Sequence, residues 1–209
     1  MLYNVKLKWI MDGVKNPVET NNNLFEAALT EFSKHSFKNA SLNNIIKETG
    51  MNKGSFYYRF YDKLDLYLSL LYRMGREKLD FLSQFENDNV NRGFFDEILN
   101  KSILGLRFAQ EEPRYNSLWR QVQAEEPSVR DSIRYCFGDL TNNFMLEMIE
   151  KSQESGEIRS DISAKTLTAI VSMLMERLDL LVSPDLGQDG IISGIEELLD
   201  ILKHGITAK

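Results

Sequence analysis

Apolar residues recur at helical spacing along nearly all of the 209 residues, and this periodicity constrains the fold more than any other feature. Leu24, Phe25, Ala28, Leu29 and Phe32 follow an i, i+1, i+4, i+5, i+8 stripe, the pattern of an amphipathic helix with one buried face. Strand signals are nearly absent: Asp12-Gly13 and Asp189-Gly190 occur, but not as turns between alternating apolar runs. Only 4 Pro interrupt the chain, and Pro113 and Pro127 each suit a first helical turn, where the missing N–H costs nothing. The expected fold is all-α.

The stripes and breakers predict about nine helices. They cover 24–32 (with Pro17 just ahead of the helix or at its start), Ser41 to Thr49, Asn52 to Tyr58, and Asp62 to Phe85. Five more follow at Gly93–Gln110, Pro113–Ala124, Pro127–Ser155, Ser163–Val182 and Gln188–Lys203. Gly50 and Gly156 stand where a helix ends on a left-handed residue. Asp62, with Asp65 three residues on, reads as a capping-box-like start. The first 17 residues read as a mobile arm, and the polar stretch 86–92 as the best linker.

A single cysteine, Cys136, excludes an internal disulfide, fits a reducing compartment and reads as a buried small hydrophobe. No run approaches the roughly 20 apolar residues of a membrane span, and no signal peptide is visible, so no membrane is expected and the cytoplasm, with the nucleoid, is the expected location. Two His and one Cys give no metal-ligand spacing, and no phosphate loop or nucleophile elbow is present. Neither a metal, a cofactor nor an enzyme is expected. The net charge of −6 argues at first against nucleic acid, but it is unevenly spread. Residues 1–80 carry 12 Lys and Arg against 9 Asp and Glu, and the remainder carries 13 against 22, so a basic module precedes an acidic body.

Two short helices joined at Gly50 suit a helix-turn-helix, in which the first helix braces the second and the second presents its side chains to base edges. The helix at 52–58 is too short to be stable alone and must be held by Phe56 and by the helix packed behind it. Its other residues, Asn52, Lys53, Gly54, Ser55, Tyr57 and Tyr58, with Arg59, interleave polar, basic and aromatic groups as a DNA-facing surface does. Lys53 can reach guanine edges or phosphate, Ser55 either, and the two tyrosine hydroxyls phosphate. Gly54 costs on the order of 1 kcal/mol of helix stability, which close approach of backbone to DNA would explain. Ser41 at one helix start and Lys63 at another are candidate phosphate contacts, and Asn43 joins the same surface. A helical adaptor binding another protein through residues 53–59, without DNA, is the alternative on residues alone.

The run Leu24 to Phe32, then Phe37 to Phe60 with Lys53-Gly-Ser-Phe-Tyr-Tyr-Arg-Phe60 at its end, then Asp62-Lys63, resembles the tetracycline-repressor-like (TetR) family of bacterial regulators. Order and spacing over some 40 residues make the likeness more specific than a lone motif. Four positions depart from the family pattern: Ser36 for Gly, Ala40 for Thr, Ile46 for a small Ala and Arg59 for His. The resemblance implies a three-helix DNA-binding domain, 18–64, joined by the next helix to a larger ligand-binding and dimerisation domain, 65–209. It implies a homodimer on a palindromic double-stranded DNA operator, most often as a repressor, and a small-molecule inducer. The large apolar residues Phe108, Tyr115, Trp119, Phe144, Met148 and Met173 are the candidate pocket lining, which suits an apolar or aromatic inducer. The stripes Ile170, Leu174, Leu178, Leu181 and Ile191, Ile195, Leu198, Leu202 are the candidate dimer interface, with intramolecular core as the competing use of each.

Overall fold

Helices α1 (Lys8–Met11), α2 (Pro17–Thr20), α3 (Asn22–Lys34), α4 (Leu42–Glu48), α5 (Lys53–Arg59) and α6 (Lys63–Ser83) open the chain. Helices α7 (Phe94–Glu111), α8 (Pro113–Ala124), α9 (Pro127–Glu154), α10 (Ala164–Glu176) and α11 (Gly187–Ile206) follow among the described residues, which contain no strand. The computed structural model describes residues 6–85, 92–176 and 187–206, without the side chains of 139–142, 176, 187 and 188. The nine expected helices are therefore joined by two four-residue ones: α1, in the segment expected to be a mobile arm, and α2, which begins at Pro17 where that segment ends. Most of the expected linker at 86–92 lies outside the described residues.

Local chemistry sets the boundaries. Side chains of Asn16, Asn21, Ser41, Asn52 and Glu112 cap the starts of α2, α3, α4, α5 and α8 by accepting backbone N–H groups. Gly50 (φ +66°) and Gly156 (φ +79°) take the left-handed conformation after α4 and α9, as expected. Asp62 Oδ1 accepts the Asp65 N–H at 2.9 Å, one half of the expected capping pair. The other half is absent: the Asp65 carboxylate turns to the N–H groups of Tyr61 and Lys8 instead.

The chain divides into two units, residues 1–83 with 108–138, and residues 84–107 with 139–209. This division does not coincide with the expected boundary between 64 and 65. In the first unit the stripe of α3 (Leu24, Phe25, Ala28, Leu29, Phe32) shares one core with Ile45, Phe56 and Phe60, but also with Leu66, Tyr67 and Leu70 of α6 and Leu118 and Val122 of α8. Arg114 fastens α8 to α3, reaching Glu26 at 2.8 Å and Thr30 at 3.1 Å. Arg73 of α6 lies over the Phe25 ring, 3.5 Å from its centre, and donates to the Val18 carbonyl at 2.8 Å. In the second unit Phe94, Phe95, Ile98, Ile149, Leu167, Val171, Ile195, Leu198 and Leu199 form a separate apolar core.

Candidate nucleic-acid interface

The helix-turn-helix is α4, the turn at Gly50, and α5. Helix α5 buries only Phe56, whose ring meets Tyr57 and Phe60, each 5.2 Å away between ring centres. The opposite face is open: Lys53 and Gly54 are exposed, Tyr57 is 53% exposed and Tyr58 79%. Two large aromatic rings kept in solvent on a seven-residue helix cost burial energy that a partner surface would recover.

Several residues expected to face DNA are committed, at least in part, to the protein itself. Asn52 Oδ1 accepts the Ser55 N–H at 2.8 Å and starts α5. Ser41 Oγ accepts the Asn44 N–H at 3.2 Å and starts α4, while Asn43 beside it is exposed. The Arg59 guanidinium donates to the Ser55 carbonyl at 2.8 Å. Gly54 acquires a local reason: a Cβ there would stand 3.3 Å from Asn52 Oδ1 and press on the helix cap.

Lys63 departs furthest from expectation. Its ammonium donates to the Ala40 carbonyl at 2.9 Å and the Lys38 carbonyl at 3.3 Å, and sits over the Phe37 ring at 4.7 Å. Burial pushes its pKa down, against the opposing pull of Glu125 and Glu31. Lys63 thus braces the loop between α3 and α4. Two carboxylates complete the brace: Glu31 accepts the Ser41 N–H at 2.6 Å, and Glu125, at the α8–α9 corner, accepts the Phe37 N–H at 2.6 Å. Lys38 pairs with Glu126 at 3.3 Å. Glu125 is 5% exposed, and burial pushes its carboxyl above the ordinary range, with the Phe37 N–H pulling the other way. The buried Tyr67 hydroxyl beside it is likewise pushed up, by burial and then by Glu125. Glu31 and Glu125 carried no signal in the sequence: among 31 acidic residues nothing marks them.

Residues 24–70 match the model described as bacterial regulatory proteins, tetR family. The chain is 20% identical over 195 residues to the transcriptional repressor AcnR of Corynebacterium efficiens, covering 91% of this chain and 94% of that one. Among solved structures it is similar to FadR from Bacillus subtilis in complex with stearoyl-CoA (TM-score 0.70, 15% identity, 88% of this chain and 98% of that one). It is also similar to a protein from Saccharomonospora viridis in complex with choline (TM-score 0.63, 20% identity, 91% and 99%).

The other expected sites are distributed as follows. Phe108 and Tyr115 stack at 5.3 Å in the core of the first unit, and the Tyr115 hydroxyl donates to the Glu77 carboxylate. Trp119, of the same unit, is 49% exposed. In the second unit Phe144 is 46% exposed with Lys101 Nζ 5.0 Å from its ring centre, Met148 packs against the core and Met173 is 60% exposed. A shallow cleft of about 220 Å³ in the first unit is lined by Glu19, Arg73, Arg76, Glu77 and Asp80, all charged and none of them expected.

The candidate dimer stripes need correction. Ile195, Leu198 and Leu202 are buried in the core of their own unit, and Leu174 and Ile191 pack against it, because α11 needs that stripe to hold α10 and the start of α7. Ile170 is 40% exposed. Leu178 and Leu181 lie outside the described residues. Among the described residues, the exposed large apolar side chains of these helices are Ile170 and Met173 on α10 and Ile201, at 70%, on α11. Among the described residues no group of three His, Cys, Asp or Glu is placed to hold a metal ion, and no helix is long and apolar enough to cross a membrane.

Proposed function

We propose that this chain is a ligand-responsive transcriptional repressor, not an enzyme, which binds a palindromic operator in the cytoplasm as a homodimer. The observation that carries the reading is the open face of α5: Lys53, Gly54, Tyr57 and Tyr58 stand exposed on a helix that its capped start, Phe56 and the braced loop before α4 hold in place. Lys53 supplies base-edge or phosphate contacts, and Tyr57 and Tyr58 supply hydroxyls to phosphate. Asn43 and Ser41 extend this surface along the start of α4. Ser55 and Arg59, half-buried, stiffen it from behind. Lys63 acts through the loop it braces.

AcnR is named a repressor, and the stearoyl-CoA and choline complexes of similar folds support control by a small molecule. Phe144, 46% exposed in the second unit, keeps apolar surface that suits an apolar or aromatic inducer. The two-fold partner is met through Ile170, Met173 and Ile201, the apolar side chains that α10 and α11 leave outside their own core.

Selection of bound sequences from a random DNA pool tests the reading. A palindrome whose half-sites lie one helical turn or a multiple apart is the expected result. Enrichment of no sequence, together with binding that is insensitive to salt, would overturn it. Light scattering at micromolar concentration should give particles of twice 24.2 kDa, and monomers alone would remove the dimer.

A further inference from the structure

The N-terminal segment packs along the first half of α6, from Arg73 back to Asp65. The Val18 carbonyl meets Arg73, the Asn16 side chain donates to the Ser69 carbonyl at 2.9 Å, the Trp9 indole donates to Ser69 Oγ at 3.0 Å, and the Lys8 N–H meets the Asp65 carboxylate at 3.2 Å. The Lys8 contact with Asp65 places residue 8 at the start of α6, a few residues beyond α5. One buried carboxylate makes the junction: Asp65, 3% exposed, accepts the N–H of Lys8 and, at 2.9 Å, that of Tyr61, which links α5 to α6. Leu7 and Asn16 are buried, and the Trp9 and Tyr72 rings lie 5.1 Å apart, so the segment is fastened along its length.

We infer that residues 6–15 are an accessory DNA-binding arm that lies on the phosphate backbone flanking the half-site read by α5. This rests on the operator-binding reading above. The chemistry of the exposed side is the reason. Residues 6–15 carry Lys6, Lys8 and Lys15 against one acid, Asp12, in a chain whose net charge is −6. Lys6 and Lys15 are exposed, and Lys8 Nζ lies 5.1 Å from the centre of the Tyr61 ring, with Asp12 at 2.9 Å. Tyr61 is 49% exposed, so arm and recognition helix meet in one basic, aromatic surface. An arm already fastened to α6 loses little conformational entropy on binding, which lets a few lysines contribute measurably. Phosphate contacts carry no sequence information, so the arm adds affinity and salt dependence without changing the bases preferred.

The test uses the full chain and the duplex recovered by selection. The variant Lys6→Gln/Lys8→Gln/Lys15→Gln should bind about 10-fold more weakly near 0.1 M salt, with the slope of log affinity against log salt reduced by about one to two. The preferred half-site and the unfolding temperature should be unchanged. Because Lys8 also packs on Tyr61, Lys6→Gln/Lys15→Gln serves as the second variant, with a slope reduced by about one. Wild-type slope and affinity in both variants would overturn the arm while leaving the operator reading intact. A wild-type chain that enriches no sequence overturns both.

Discussion

Helices α5 and α11 are held in opposite ways. Twenty-residue α11 supports itself: Ile195, Leu198, Leu199, Leu202 and Ile206 make a continuous buried stripe. Seven-residue α5 has one buried side chain, Phe56, and the helix-turn-helix around it relies on polar fastenings made elsewhere. Those are the Asn52 cap, the Arg59 to Ser55 carbonyl bond, and the loop 36–41 braced by Glu31, Glu125 and Lys63. A helix supported from outside can turn most of its own surface to a partner, whereas a helix that supports a core has only its remaining face to offer. Such fastenings also fix position more sharply than apolar contact does, because a hydrogen bond is directional and holds over only about 0.5 Å of donor–acceptor distance.

Deleting the sole buried contact of α5 breaks this contrast most severely. Phe56→Ala should cost about 3–5 kcal/mol of stability, read by denaturant unfolding, since Phe56 is fully buried. Leu198→Ala on α11 should cost less, about 2–3 kcal/mol, because its stripe neighbours remain. A larger loss from Leu198 than from Phe56 would reverse the comparison. On the open face, Lys53→Ala and Tyr58→Ala should each weaken operator binding by about 1–3 kcal/mol in a titration, with melting unchanged, since both side chains are exposed. Gly54→Ala sets a helix-propensity gain of about 1 kcal/mol against pressure on the Asn52 cap, so stability should move by less than that. An affinity loss far beyond the stability change would assign Gly54 to backbone contact with DNA.

The smallest effect concerns the brace. Burial raises the Glu125 pKa in the folded chain, so the folded state binds the extra proton between the ordinary carboxylate value and the raised one. Glu125 therefore favours folding below the ordinary value, and this contribution is lost as pH rises through the raised one. Glu125→Gln keeps an acceptor for Phe37 without the charge. Its melting temperature relative to wild type should rise as pH climbs through that window, and a pH-independent difference would count against the assignment.

The same contrast explains what could be read from residues alone. The α3 stripe, the Gly50 turn, the single inward Phe56 and the exposed tyrosines all follow from spacing within a few residues, and the structure places them as expected. Periodicity also found the α11 stripe, but a stripe marks a buried side without saying what buries it, so partner and own core stayed open for Ile195, Leu198 and Leu202, which lie in their own core. The Lys63 side chain was expected to reach phosphate, but it turns to carbonyls some 25 residues away, a distance no local pattern spans. Asp65 and Glu125 act on Lys8 and Phe37 across 57 and 88 residues, beyond any spacing rule.

The bond from Glu125 to Phe37 bears on attempts to build hybrid regulators. A graft of residues 18–64 onto a foreign body would carry the Phe37 N–H and Lys38 without Glu125 and Glu126, which hold them here. The portable piece is discontinuous: it comprises the first 83 residues together with 108–138. Swapping of operator specificity between relatives should therefore succeed by exchanging the exposed side chains of α5, with the whole unit left in place, more readily than by cutting the chain after residue 64.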